Sequence, residues 1–170
     1  MTRHSYFRYS AVAGLVIGYV GCMSHVAQYV WFMPDNIVLS NVTSIVTILL
    51  TIGALWLYKH RYAISPFTVG LGMRTGMSIA LVRGVMVATC YYIICTADTE
   101  YLEQLLAIER QTWQQSGLPE AQASRAIEEM QQLMQPAVAF VLDIVGALLE
   151  GAIVTAVAVA FMRVRETNKK

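Results

Sequence analysis

Apolar positions in this chain gather into four runs, over 10–33, 37–58, 75–96 and 136–162. Each exceeds the roughly 20 residues that a helix needs to cross a bilayer. The pattern predicts an all-α four-transmembrane-helix bundle that uses the whole chain, 1–170, as one integral membrane domain. Between the third and fourth runs the pattern changes. Tyr101, Leu102, Leu105, Leu106, Ile108 and Trp113 fall on one helical face, and Ala126, Ile127, Met130, Leu133 and Met134 on a second. Ser116-Gly117-Leu118-Pro119-Glu120 parts them, with Gly117 suited to ending one helix and Pro119 with Glu120 to starting the next. A helical hairpin over 98–135 follows, its apolar faces closing on each other or over the mouth of the bundle.

Small and hydroxyl residues recur at helical spacing inside the runs. Gly14, Gly18, Gly21 and His25 share one face of the first span, and Gly14-x-x-x-Gly18 lets a neighbouring backbone approach closely. Gly72 and Gly76 repeat that spacing and serve contacts within one chain or between chains equally well. Ser40, Thr43, Thr47 and Thr51, with Asn41 and Ser44 beside them, form a hydroxyl stripe expected to face protein rather than acyl chains. Trp56 and Tyr58 suit a membrane interface. Met33-Pro34-Asp35-Asn36 reads as a tight turn. The apolar stretch 62–74, with a turn at Ser65 and Pro66 and loosened by Gly70 and Gly72, is expected to lie in the headgroup zone with Phe67 and Leu71 toward lipid. Gly70-x-Gly72 lacks the strand that a phosphate cradle requires.

Charge then orients the bundle. Arg3, Arg8, Lys59, Arg61, Arg74, Arg163, Arg165, Lys169 and Lys170 fall on one side with Glu166. The other side takes Asp35, Asp98, Glu100, Glu103, Glu109, Glu120, Glu128 and Glu129 against Arg110 and Arg125. By the positive-inside rule both termini are cytoplasmic and the hairpin lies outside the cytoplasm. Mean hydropathy of +0.52 with 14% charged residues excludes an ordinary soluble domain, and no basic stripe serves nucleic acid. Cys22, Cys90 and Cys95 all lie within spans, where they act as small packing residues rather than disulfide or metal ligands. The first run imitates a secretory signal and Tyr19-Val20-Gly21-Cys22 part of a lipoprotein box. Apolar character continues through Val26, Val30 and Trp31, so a retained helix is expected.

Arg83, Asp143, Glu150 and His25 stand apart because each sits well inside an apolar run. Placing Arg or Asp at a helix centre costs about 2.5 to 3.5 kcal/mol, so these groups should turn inward and find partners. With a rise of 1.5 Å per residue, Arg83 and Glu150 reach a common depth near the midplane, while His25 and Asp143 lie in a second layer nearer the outer ends. Two readings compete. Arg83 and Glu150 neutralise each other and hold helix register, or Asp143, Glu150 and His25 carry protons or meet a substrate. The structural reading is preferred because no broken helix or inverted repeat accompanies the charges. Neither a metal site nor a catalytic group with its base can be located, and no cofactor motif occurs.

Four spans, the lead Ser65-Pro66-Phe67-Thr68-Val69-Gly70 into the third, the polar segment from Ser116 to Gln135 and the basic tail after Met162 resemble the bacterial DUF4199 family, of unknown function, over nearly the whole chain. The resemblance implies a bacterial inner-membrane location and transfers no catalytic residue. It further implies genes near a family 2 glycosyltransferase of the polyprenyl-phosphate type. A non-enzymatic anchor or accessory subunit for such a cytoplasmic enzyme is the expected role, with the bilayer and self-association as further partners. A small transporter or proton-linked carrier using the Arg83, Asp143 and Glu150 cluster is the alternative.

Overall fold

A computed structural model describes residues 3–31, 33, 36–62, 67–115, 117 and 119–167, without the side chains of 3–5, 120, 123 and 163–167. Among the described residues the chain is all-helical. Six α-helices run α1 (Arg3–Val30), α2 (Ile37–Leu57), α3 (Val69–Ala97), α4 (Thr99–Gln115), α5 (Glu120–Leu133) and α6 (Pro136–Thr167), and a π-helical turn, Tyr58–Tyr62, extends α2. Four segments are long and apolar enough to cross a membrane: Tyr6–Val30, Ile37–Tyr62, Val69–Ala97 and Pro136–Met162. The chain is thus built as a multi-pass membrane protein.

Local chemistry sets the helix boundaries. Asn36 caps α2 by accepting the Leu39 backbone N–H at 3.0 Å. Thr68 caps α3 in the same way, its hydroxyl accepting the Leu71 N–H at 3.2 Å. That cap starts the third helix six residues earlier than its apolar run suggests, so Gly70 and Gly72 are helical rather than parts of a loosened loop. Phe67 and Leu71 also turn inward. Phe67 is only 6% exposed, in a cluster with Leu55, Tyr58, Ala158, Val159 and Met162, and Leu71 packs against it. Burial of the Phe67 ring against three helices outweighs the lipid-facing placement expected from its position before a span. Tyr58 is likewise buried in this cluster, whereas Trp56 is exposed. Of the expected turns, Pro34, Asp35, Ser65, Pro66, Ser116 and Leu118 lie outside the described residues. Gly117 takes the left-handed φ of 73° that a glycine adopts without strain.

α3 is the central helix, packed along its length against parallel α1 on one side and antiparallel α6 on the other. Glycine makes both seams close. A Cβ on Gly14 would stand 2.7 Å from Val82 Cβ, one on Gly18 3.0 Å from Met86 Sδ, and one on Gly21 2.6 Å from Val87 Cγ2, so the first-span glycine face lies on α3. Gly72 and Gly76 face α6 at Val159 and Thr155. Both pairs therefore serve contacts within the chain.

The C-terminal end of α2 is tightly held. There the Tyr9 hydroxyl donates to the Ala54 carbonyl at 2.6 Å, Lys59 Nζ donates to the Met162 carbonyl at 2.8 Å, and the Phe67 cluster fills the centre. At the opposite end α4 and α5 pack on each other through Leu106, Ile127 and Met130. Tyr101 meets Tyr29 of α1 edge-on at 5.2 Å, which seats the base of the hairpin on the bundle.

Candidate functional site

Each of the four spanning helices carries a polar face at the 3.6-residue period, and the four faces converge. α1 contributes Ser24, His25 and Gln28, one helical face that continues from Gly21. α2 contributes Ser40, Thr43, Ser44 and Thr47, α3 contributes Arg83 and Gly84, and α6 contributes Asp143, Gly146 and Glu150. They enclose a cavity of about 340 Å³ in the half of the bundle nearer the hairpin. The volume falls at the lower end of the range for small-ligand pockets.

Arg83 forms the floor of this cavity. It is 8% exposed, and its Nη1 and Nη2 donate to Glu150 Oε1 and Oε2 at 3.1 and 2.7 Å. The fork matches the carboxylate geometry and ties α3 to α6. The Glu150 side chain remains 37% exposed toward the cavity. Asp143 and His25 line the same space but do not join this pair. Asp143 makes no hydrogen bond or ion pair among the described residues, and the His25 ring lies against that of Tyr91, tilted by 56° with centroids 5.6 Å apart. Asp143 lies within electrostatic reach of Tyr91 and Cys95 of α3. The hydroxyls close the α1 and α2 side. Thr43 donates to the Leu39 carbonyl at 2.8 Å and is hydrogen-bonded to the Ser24 hydroxyl at 3.0 Å, and Thr47 and Thr51 bond back to the Ser44 and Thr47 carbonyls. Asn41, beside the stripe, is exposed.

Sequence reasoning named the four ionisable residues and the hydroxyl stripe separately, and it missed Ser24, Gln28 and Gly146. The signal was present. Gly21, Ser24, His25 and Gln28 follow the same i, i+3, i+4, i+7 spacing as Ser40, Thr43, Ser44 and Thr47, and Asp143, Gly146 and Glu150 extend it on α6. Among the described residues no group of three His, Cys, Asp or Glu side chains is arranged to hold a metal ion. Cys22, Cys90 and Cys95 are free thiols.

No curated protein and no solved structure matches this chain. A family model described as "Protein of unknown function (DUF4199)" matches residues 9–164, most of the chain, and the protein belongs to that family.

Proposed function

We propose that this protein is a small carrier of the membrane that holds a polar solute at the cavity between its spans and exchanges protons there. The cavity itself carries this reading. Polar and ionisable groups are costly at membrane depth, and four helices would not converge theirs around open space merely to pack. Arg83 and Glu150 satisfy each other as a structural floor, which leaves Asp143 and His25 as groups able to take up or release a proton. The charged and titratable groups that face them are Tyr91, Cys95 and Arg83 from α3 and Glu150 from α6, while α2 supplies hydroxyls alone. The Phe67 cluster fills the other end of the bundle.

The basic residues Arg8, Lys59, Arg61 and Arg74 belong to that closed end, which supports a cytoplasmic placement for it and an external placement for the hairpin in a bacterial inner membrane. Among the described residues nothing supports the anchoring role for a glycosyltransferase. Reconstitution into liposomes under an imposed pH gradient, followed with an internal pH-sensitive dye, tests the carrier. The wild-type chain should dissipate the gradient faster than protein-free liposomes, and Asp143→Asn should return the rate to that baseline. Equal rates for the two chains would remove Asp143 from any proton path, and the carrier reading with it.

A further inference from the structure

The residues around the cavity divide sharply by exposure. Ser24, Gln28, Thr47, Arg83 and Gly84 are buried. The exposed ones are Ser40 and Ser44 of α2 and Leu142 and Gly146 of α6. The mouth therefore lies between α2 and α6, on the flank of the bundle. Gly146 has nothing within 4 Å of where a Cβ would stand, so the gap is open at this point of α6. The flanking surfaces are apolar. Ile45 and Leu49 of α2 and Val145, Leu149 and Ile153 of α6 are exposed at and below the depth of the mouth, where acyl chains would meet them.

A polar cavity that opens sideways through an apolar surface suits a molecule with a polar head and an apolar tail. The charge of the site narrows the head. The Arg83 cation is matched by Glu150, and Asp143 is left without an ion pair among the described residues, beside hydroxyl and amide groups. Such a cavity complements a group that is cationic and donates hydrogen bonds.

Resting on the carrier reading above, we infer that the cavity admits the primary ammonium head of a membrane lipid through the gap between α2 and α6, with Asp143 as its counter-ion and the tail left in the bilayer. The Ser44 and Thr43 hydroxyls accept from the head group, and Gly146 provides its passage. A free amine entering from water would satisfy Asp143 equally well. The position of the mouth selects the lipid.

The test is native mass spectrometry of the full chain released from nanodiscs containing equal phosphatidylethanolamine, phosphatidylcholine and phosphatidylglycerol. A parallel sample is given ethylammonium without the first lipid. Wild type should retain phosphatidylethanolamine over the other two by roughly tenfold, the equivalent of about 1.4 kcal/mol. Asp143→Asn should lose that preference, and Gly146→Leu, which fills the passage, should lose retention of all three, with circular dichroism establishing that both variants remain helical. Retention without headgroup preference, a preference unchanged in Asp143→Asn, or binding of ethylammonium alone would each overturn the lipid assignment. So would a lipid-free dimer that covers the gap. The liposome measurement reads the carrier independently: gradient dissipation that depends on Asp143, without lipid retention, leaves the carrier standing and removes only the lipid.

Discussion

The Arg83 and Glu150 side chains meet across 67 residues of sequence and tie α3 to α6 through two hydrogen bonds. Removing one member leaves an uncompensated charge among spans. Arg83→Met should lower stability by about 2 to 3 kcal/mol, less than for a fully enclosed pair because the Glu150 side chain is 37% exposed. The double variant Arg83→Met with Glu150→Met should recover most of that loss, because an apolar pair needs no desolvation. Thermal unfolding in detergent measures both. At this scale the sequence was informative about identity and depth: residue counting along each helix gives Arg83 and Glu150 a common level. It could not give the rotation of each helix. Asp143 and His25 share a depth by the same counting and yet are not joined by a hydrogen bond or ion pair.

Among elements, α3 owes its central position to residues small enough to let two helices touch it. Gly76 lies against Thr155 with no room for a side chain, whereas Gly53 of α2 has open space around it. Gly76→Leu should therefore cost about 1 to 3 kcal/mol through overpacking. Gly53→Ala should be neutral or stabilise by up to about 1 kcal/mol through helix propensity. Unfolding midpoints of the two variants check the contrast. The start of α3 is illegible in the hydropathy pattern because Thr68, a polar residue, fixes it through a cap, and Gly70 and Gly72 behind it have low intrinsic helix propensity.

The junction between α3 and α4 has its own pH dependence. Asp98 accepts from the Tyr101 backbone N–H at 3.1 Å and from the Tyr29 hydroxyl at 3.0 Å, and these bonds, the first foremost, hold its carboxyl below the ordinary value of 3.8. A depressed folded-state pKa stabilises the ionised form. Its contribution is complete above the ordinary carboxylate value and is lost as pH falls through the lower folded value. Amide exchange at the start of α4 should accelerate in that acid range in wild type and change less in Asp98→Asn.

Over the whole molecule the four long apolar helices were readable because length and apolar content alone decide them, and α4 and α5 because each carries an apolar face at helical spacing. The cavity was not. It arises where α2, tied down at one end by Tyr58 and Tyr9, stands away from α6 at the other, and such a separation leaves no mark on the periodicity of either helix. What matters for function is whether that space is polar and open within the bilayer. The decisive measurement compares Ser44→Cys, at the cavity, with Ile45→Cys, about 100° further round α2 and exposed on its apolar surface, by their reaction with a small methanethiosulfonate ethylammonium reagent in membranes, against a background of Cys22, Cys90 and Cys95 replaced by Ala or Ser. Thiolates react and thiols do not, so a cysteine in a polar cavity should be modified roughly a hundredfold faster than one held against acyl chains. Fast labelling at Ser44→Cys with slow labelling at Ile45→Cys is the expected result, and equally slow labelling at both positions would contradict a polar site inside the bundle.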